Sequence, residues 1–342
     1  MNILHLVPTG NWAGTEQQSF SFANFQSKNN NVTIVIVTNE KFNYDFYKSK
    51  VNKSINLIDV AHIKSTENIA EYIKTRAKID FDIIHAHLSL ACRISKLLKN
   101  NNNVCIGHMH IRYYDIHFSH MDAVIAISEW QLRDVPSTFP GKTKLIWNFT
   151  TKSFTAKNLS KISFVKNYYG LKDTDYIIGT MSRLHFEKGI DILIRAFDAL
   201  NLENSKLIVI GGGPEETKLK NLTNNENIIF TGFLNNSSEY LNLFDVYISS
   251  ARSEPFGLSI LEALTYGLPV LSSRAMGPID IFKENQDYLF DIDSVESLVY
   301  CLKNFIKSKP KQNLDLSRFD ETNSNEQLLN FYRELLEDRK VN

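Results

Sequence analysis

Cysteine is scarce in this 342-residue chain. Cys92, Cys105 and Cys301 are the three, scattered and without a CxxC spacing. That excludes a disulfide framework and fits a reducing cytoplasm. Charge of one sign is also missing: Lys and Arg number 38, Asp and Glu 38, and the formal net charge is +0. No overall field draws nucleic acid as a partner. Long apolar runs are absent, none approaching the roughly 18 residues of a membrane-crossing helix. Met1–Pro8 reads as a short strand rather than the basic and apolar start of a signal peptide. Internal repeats and low-complexity tracts are lacking as well. These absences leave a cytoplasmic protein, soluble or peripheral on the inner face of a membrane.

What is present is a repeating alternation of strand and helix. Ile3–Val7, Val32–Val37, Phe81–Ala86, Val104–Gly107 and Ala123–Ser128 are apolar strand-like runs, with helical periodicity at 69–77 and 91–98. The pattern restarts with Tyr176–Met181, Lys206–Ile210, Asn227–Thr231, Val246–Ser249 and Pro269–Ser272. Strands apolar throughout, separated by helices, belong to parallel sheets covered on both faces. The chain is too long for one ordinary core and suits two α/β domains. We place them at residues 1–150 and 151–320, with an amphipathic C-terminal segment, 321–342, that must pack on something. The boundary falls in a stretch with no acid between Asp134 and Asp173 but Lys142, Lys144, Lys152, Lys157, Lys161, Lys166 and Lys172. That stretch is either a solvated linker or a surface facing nucleotide phosphates or anionic lipid.

One stretch organises the second half: Ser253-Glu254-Pro255-Phe256-Gly257-Leu258-Ser259-Ile260-Leu261-Glu262. The apolar segment 241–249 before it reads as a strand, and Leu258 onward as a helix ending at Gly267-Leu268-Pro269. A strand, a loop and a helix N-terminus present unpaired N–H groups to an anion. Glu254 lies in the loop and Glu262 more than one turn into the helix. The two carboxylates therefore hold different parts of a ligand, or else serve as a helix-dipole charge and a solvated side chain. Arg183 and Lys188, in Arg183-Leu184-His185-Phe186-Glu187-Lys188-Gly189, follow another strand. A forked cation and a mobile one suit a diphosphate, against the plainer reading of a surface charge cluster.

Other constellations are weaker. Gly211-Gly212-Gly213-Pro214 is not a dinucleotide fingerprint, since the third glycine would fall at Glu216. It reads as a tight turn that lets backbone approach a flat ligand. Ala13-Gly14-Thr15-Glu16 opens the first helix and is a second place for phosphate or sugar oxygens. Histidines gather as His85-Ala86-His87, His108-Met109-His110, His117 and His120. A metal, a substrate hydroxyl and plain structural hydrogen bonding all remain readings of them, though no carboxylate or Cys completes a ligand spacing.

Assembled, these residues resemble the retaining glycosyltransferases of the GT-B fold, specifically family 4. The resemblance rests most on Gly179-Thr180-Met181-Ser182-Arg183-Leu184, Lys188-Gly189, Gly211–Pro214, Phe230-Thr231-Gly232 and the E-x7-E spacing of Glu254 and Glu262. Gly14 and Glu16 match a first-domain loop with Ala13 in place of a glycine, and Ser128-Glu129 matches a Ser-Glu pair. The resemblance implies two Rossmann-like doubly wound parallel-sheet domains facing a central cleft, the last helix crossing back onto the first domain. It implies a nucleotide diphosphate sugar, a UDP-sugar by expectation, as donor and a saccharide or lipid-linked acceptor, in cell-surface polysaccharide or lipopolysaccharide synthesis. Arg183 and Lys188 would then hold the diphosphate, and Glu262 the ribose. Glu254 with Phe256, Gly257, Leu258 and Ser259 would hold the sugar, Gly213 and Pro214 would line the nucleotide, and His110 (or His108) would touch sugar or acceptor. No metal or other cofactor is expected. The chain departs from the family at Ala275-Met276-Gly277-Pro278-Ile279-Asp280, where Gly-Gly-x-x-Glu is frequent. Rival readings are a sugar-nucleotide epimerase or phosphorylase on the same fold, and a non-catalytic nucleotide-sugar-binding subunit.

Overall fold

The computed structural model describes residues 1–150, 159–234, 237–308, 310 and 312–341, with 159–161 and 341 described by backbone alone. Lys152 and Lys157 of the lysine-rich stretch lie outside the described residues, as does the side chain of Lys161. The chain divides into two compact units, Met1–Phe149 with Arg318–Asn342, and Thr150–Ser317.

The first unit carries seven strands: β1 (Asn2–Leu6), β2 (Asn31–Ile36), β3 (Asn56–Asp59), β4 (Ile83–His87), β5 (Val104–Met109), β6 (Ala123–Ala126) and β7 (Lys142–Leu145). Their order is β3-β2-β1-β4-β5-β6-β7, with every neighbour parallel. The sequence forces this: Ile3, Leu4, Ile34, Val35, Ile83 and Ile84 alternate between faces, and both faces are buried. The direction of winding reverses between β1 and β4, which opens a crevice at the carboxyl ends of those two strands.

The helix Glu321–Val341 belongs to this unit. Leu328, Phe331, Tyr332 and Leu335 enter the core beside Ile3, Phe22 and Ile106. Ser324 Oγ donates to the Trp147 carbonyl at 2.9 Å, and the Arg339 guanidinium donates to the carbonyls of Asn100 and Asn101, both at 3.0 Å, and to that of Asn103. The helix begins at Glu321, the first residue of the amphipathic segment read from the sequence.

The second unit carries β8 (Tyr176–Met181), β9 (Ser205–Ile210), β10 (Ile228–Gly232), β11 (Val246–Ser249), β12 (Val270–Ser273) and β13 (Leu289–Phe290), in the order β10-β9-β8-β11-β12-β13, again parallel. The switch point here lies between β8 and β11. The strand read over 241–249 is shorter than its apolar run: Ser237–Leu243 forms a 3-10 turn, and only Val246–Ser249 pairs. Gly179 explains part of this, because a Cβ there would lie 2.0 Å from the Phe244 ring. The apolar residues before β11 fill space over β8 instead of joining the sheet.

Candidate functional site

Both sequence motifs of the second unit fall at its switch point. Arg183 and Lys188 follow β8, and Glu254 follows β11. Backbone contacts stitch the two loops together. Gly189 takes φ +59°, and a Cβ there would lie 2.1 Å from the Ser250 carbonyl oxygen, so only glycine permits this approach. Ser250 Oγ donates to the Lys188 carbonyl at 3.2 Å, and Arg252 N donates to the Glu187 carbonyl at 2.7 Å. The Arg252 guanidinium grips Asp191 with two bonds of 2.8 Å. The result places Lys188 Nζ 2.7 Å from Glu254 Oε2, with the side chains 26% and 16% exposed. A cation this well shielded and already aimed suits an anionic ligand better than a mobile surface lysine does.

The Glu254 loop is seated on Gly277. Gly277 N donates to the Glu254 carbonyl at 2.8 Å, and a Cβ at 277 would lie 2.4 Å from Phe256 Cα. The segment that departs from the family pattern therefore keeps the glycine that this close approach requires. Glu254 Oε1 accepts from Phe256 N at 3.4 Å, which folds the carboxylate over its own loop. Gly257, at φ +109°, then turns the chain into the helix Leu258–Thr265. The first N–H groups of that helix have no intrahelical acceptor and point out of its start. Phe256 is buried, so its side chain serves the core and leaves only backbone for a ligand. Ser259 Oγ lies 2.8 Å from the Tyr247 hydroxyl, which also bonds the Met181 carbonyl at 3.0 Å. Tyr247, which the sequence does not single out, thus ties β8 to the helix. Burial pushes its phenol above the ordinary range. Glu262 is half-buried on the same helix, Leu258 is half-buried, and Arg183 is exposed beside the buried Ser182 Oγ, which bonds nothing among the described residues.

The glycine-rich turn packs closely on the loop after β8. Cβ atoms at Gly211 and Gly213 would lie 1.8 Å from the Ser182 carbonyl oxygen and 2.3 Å from that of Leu184. These glycines let β9 approach the Arg183 loop, so the close contact is within the protein. Pro214 is exposed after them. They position Arg183 from behind.

In the first unit, Gly14 and Glu16 follow β1 at the other switch point. Glu16 is buried, and its carboxylate accepts from Ala13 N at 2.9 Å, capping the helix Gly14–Gln26. Across from it stands a cluster larger than the sequence suggests. His5, His85, His87, His108 and His110 come together on one face of β1, β4 and β5, in the register His5↔His85 and His87↔His108. All are buried, and burial holds each below the ordinary histidine range, His5 at about 4 and His110 at about 3. The rings are neutral at pH 7. His117 and His120 stand apart; His120 Nε2 lies 3.3 Å from Ser95 Oγ. His5 and Gln26 belong to no sequence motif, and Tyr332 reads only as part of the apolar face of the C-terminal segment, although alternation with Ile3 and Val7 puts His5 on one face of its strand.

Known proteins resemble the chain in both sequence and fold. The family described as "Glycosyl transferases group 1" matches residues 162–319. An uncharacterized glycosyltransferase of Methanocaldococcus jannaschii is 32% identical over 47% of this chain, which spans only 44% of that relative's length. The O-antigen biosynthesis glycosyltransferase WclY of Escherichia coli is 27% identical over 71% of the chain and 74% of its own. Among solved structures, Anabaena HepE in complex with UDP and glucose superposes with a TM-score of 0.80 over 98% of this chain and 100% of that one, at 19% identity.

Proposed function

We propose, from the premise that residues 162–319 are a group 1 glycosyltransferase domain and that the chain has the GT-B fold, that the protein moves a sugar from a nucleotide diphosphate sugar to a saccharide or lipid-linked acceptor. UDP-sugar is the donor we put first. The observation that carries the reading is the Lys188–Glu254 pair at 2.7 Å on the switch point of the second sheet. Arg183 and Lys188 meet the diphosphate, where negative charge grows as the bond to the sugar breaks. Glu262 takes the ribose hydroxyls. Glu254 and the backbone of Phe256–Ser259 take the sugar.

The acceptor oxygen attacks the anomeric carbon from the face that the nucleotide diphosphate leaves, so configuration is retained. A phosphate oxygen of the leaving group takes the acceptor's proton. In that scheme the two cations supply the charge stabilisation, and no metal is called for. The kinship with WclY supports a place in cell-surface polysaccharide synthesis, on the cytoplasmic side where nucleotide sugars are made.

Thermal unfolding with a panel of nucleotides and nucleotide sugars, with and without chelator, tests this. One diphosphate nucleoside and its sugar, at about a hundred times Kd, should add ~2.7 kcal/mol regardless of chelator. Absence of protection by every member would remove the reading. An epimerase would convert the sugar nucleotide with no acceptor present, and a phosphorylase would need free phosphate.

Among the described residues, no helix is long and apolar enough to cross a membrane. Peripheral contact with anionic lipid has less charge to draw on than the lysine count suggests. Lys142 is paired with Glu334 at 2.7 Å and with Asp338, and Lys166 with Asp173 at 2.8 Å. What favours contact is the exposed pair Phe164 and Tyr168 on the helix Leu159–Tyr168. Co-sedimentation with anionic vesicles at physiological salt should pull the protein down; a protein left wholly in the supernatant excludes the contact.

A further inference from the structure

The five buried histidines form two hydrogen-bonded chains that both begin at one amide. In the first, His5 Nε2 lies 2.8 Å from Gln26 Oε1, His5 Nδ1 3.2 Å from His87 Nε2, and His87 Nδ1 3.0 Å from His110 Nε2. In the second, Gln26 Nε2 donates to the Tyr332 hydroxyl at 3.5 Å, that hydroxyl bonds His85 Nδ1, and His85 Nε2 lies 3.1 Å from His108 Nδ1. His108 Nε2 is buried and has no partner among the described residues.

A neutral imidazole has one N–H and one lone pair, so each chain has a direction. Gln26 Oε1 can only accept. His5 therefore donates from Nε2 and accepts at Nδ1, His87 and His110 follow suit, and the chain ends on a lone pair at His110 Nδ1. Gln26 Nε2 can only donate. The Tyr332 oxygen accepts there, and its buried O–H has His85 Nδ1 as its remaining named partner and donates to it; His85 then donates from Nε2, and the chain ends on an N–H at His108 Nε2. Turning the amide over would reverse both chains at once. In either orientation the two ends are opposite, because one amide has one oxygen and one nitrogen.

We propose that Gln26 and Tyr332 are positioning residues that fix the histidine tautomers, so that one chain ends on an N–H and the other on a lone pair at the end of β5, two neutral sites of opposite character for separate polar groups of a ligand. This rests on the glycosyl-transfer reading only for the identity of those groups, a sugar's or an acceptor's hydroxyls. The proton pattern itself does not depend on it.

A bound metal is the competing use of these side chains. His5, His85 and His87, and His87, His108 and His110, each place three ligand atoms within 4.8 Å of one another. An ion must lie in the plane of every imidazole that binds it. The rings of His108 and His110 are stacked 8° from parallel with centroids 4.6 Å apart, so their planes do not converge. Both nitrogens of His5 and of His87 are already engaged. An ion would have to break the chains to enter.

The test is long-range ¹H–¹⁵N NMR of the full chain with ¹⁵N-labelled histidine at pH 7, before and after addition of zinc. All five buried histidines should share one tautomer, Nε2–H for the amide as placed or Nδ1–H for the amide turned over, and zinc should leave them unchanged. Tyr332→Phe removes the donor to His85 and should change the His85 and His108 signals while those of His5, His87 and His110 stay. In the same variant kcat/KM should fall about five- to tenfold, the worth of one hydrogen bond, with nucleotide protection unaltered. Zinc displacing the pattern, mixed tautomers in the parent protein, or His108 signals indifferent to Tyr332→Phe would each overturn the proposal. Nucleotide protection persisting through such a result would leave the transfer reading standing.

Discussion

Lowering the pH from 7 to 5 is expected to unfold the first unit, well before its carboxylates titrate. In an unfolded chain a histidine takes up its proton near pH 6.5. Burial lowers His5 to about 4 and His110 to about 3 in the fold. Below pH 6.5 the unfolded chain therefore binds protons that the folded one refuses, and stability falls as pH falls, until the folded values are reached. At pH 5 each of these two has lost 1.5 pH units of that difference, about 2 kcal/mol apiece at 1.36 kcal/mol per unit. His85, His87 and His108 are displaced in the same direction by burial and by one another, and add to the loss. A domain's entire stability is on the order of 5–15 kcal/mol. The readout is favourable, because Trp12, Trp130 and Trp147, the chain's three tryptophans, all lie in this unit. Their emission should shift in one cooperative step between about pH 6 and pH 5. Emission unchanged at pH 5 would mean either that the unit's stability exceeds this loss or that the cluster accepts protons in place.

The second large effect is on catalysis. Lys188→Ala should lower kcat by about 10²- to 10³-fold, the usual consequence of removing a preorganised charge from a developing anion. Arg183→Ala should act in the same range. Lys188→Ala also strands Glu254, whose side chain is 16% exposed and keeps only the Phe256 N–H at 3.4 Å among its named contacts. A shielded carboxylate that loses its counter-charge destabilises the fold. Two losses are thus mixed in one variant, and Lys188→Ala combined with Glu254→Gln separates them. Melting temperature should recover in the double variant while turnover does not. Turnover within threefold of the parent in Lys188→Ala would show that the pair is a structural ion pair.

The residues that sequence reading reached and those it did not differ in a physical way. Parallel sheets are legible because strands covered on both faces are apolar at almost every position, as in Val32–Ile36 and Ile83–Ala86, where Thr33 and His85 are the exceptions. The pairing of Lys188 with Glu254 is legible because strand-end loops at a switch point lie side by side once the sheet is parallel. Gly211 and Gly213 were legible as a close approach, but not as an approach to Ser182 and Leu184, since nothing local says what fills the space over a glycine. The same holds for Gly277 under Phe256. The histidine chains lay furthest out of reach. His85 meets Tyr332 and Gln26 meets Tyr332 across separations of 247 and 306 residues. Neither Gln26 nor Tyr332 belongs to a motif, and each looks like an ordinary helix residue until the helices are docked. The 3-10 turn Ser237–Leu243 misled for the opposite reason: its apolar residues satisfy a strand pattern and pack on the sheet without pairing.

The docking of the helix Glu321–Val341 in the first unit has a consequence for how the protein is made. The ribosome finishes β1 to β7 and then the whole of the second unit before it releases Leu328, Phe331 and Tyr332. Until then Ile3, Phe22 and Ile106 lack part of their cover, and Gln26 and His85 lack the hydroxyl that joins them. The second unit, Thr150–Ser317, is continuous and can close as soon as it emerges. Domains that complete on emergence usually do so from the N-terminus onward. Here the order is inverted: strands synthesised before the second unit wait for a helix synthesised after it, with apolar surface open to chaperones for the time it takes to translate everything between.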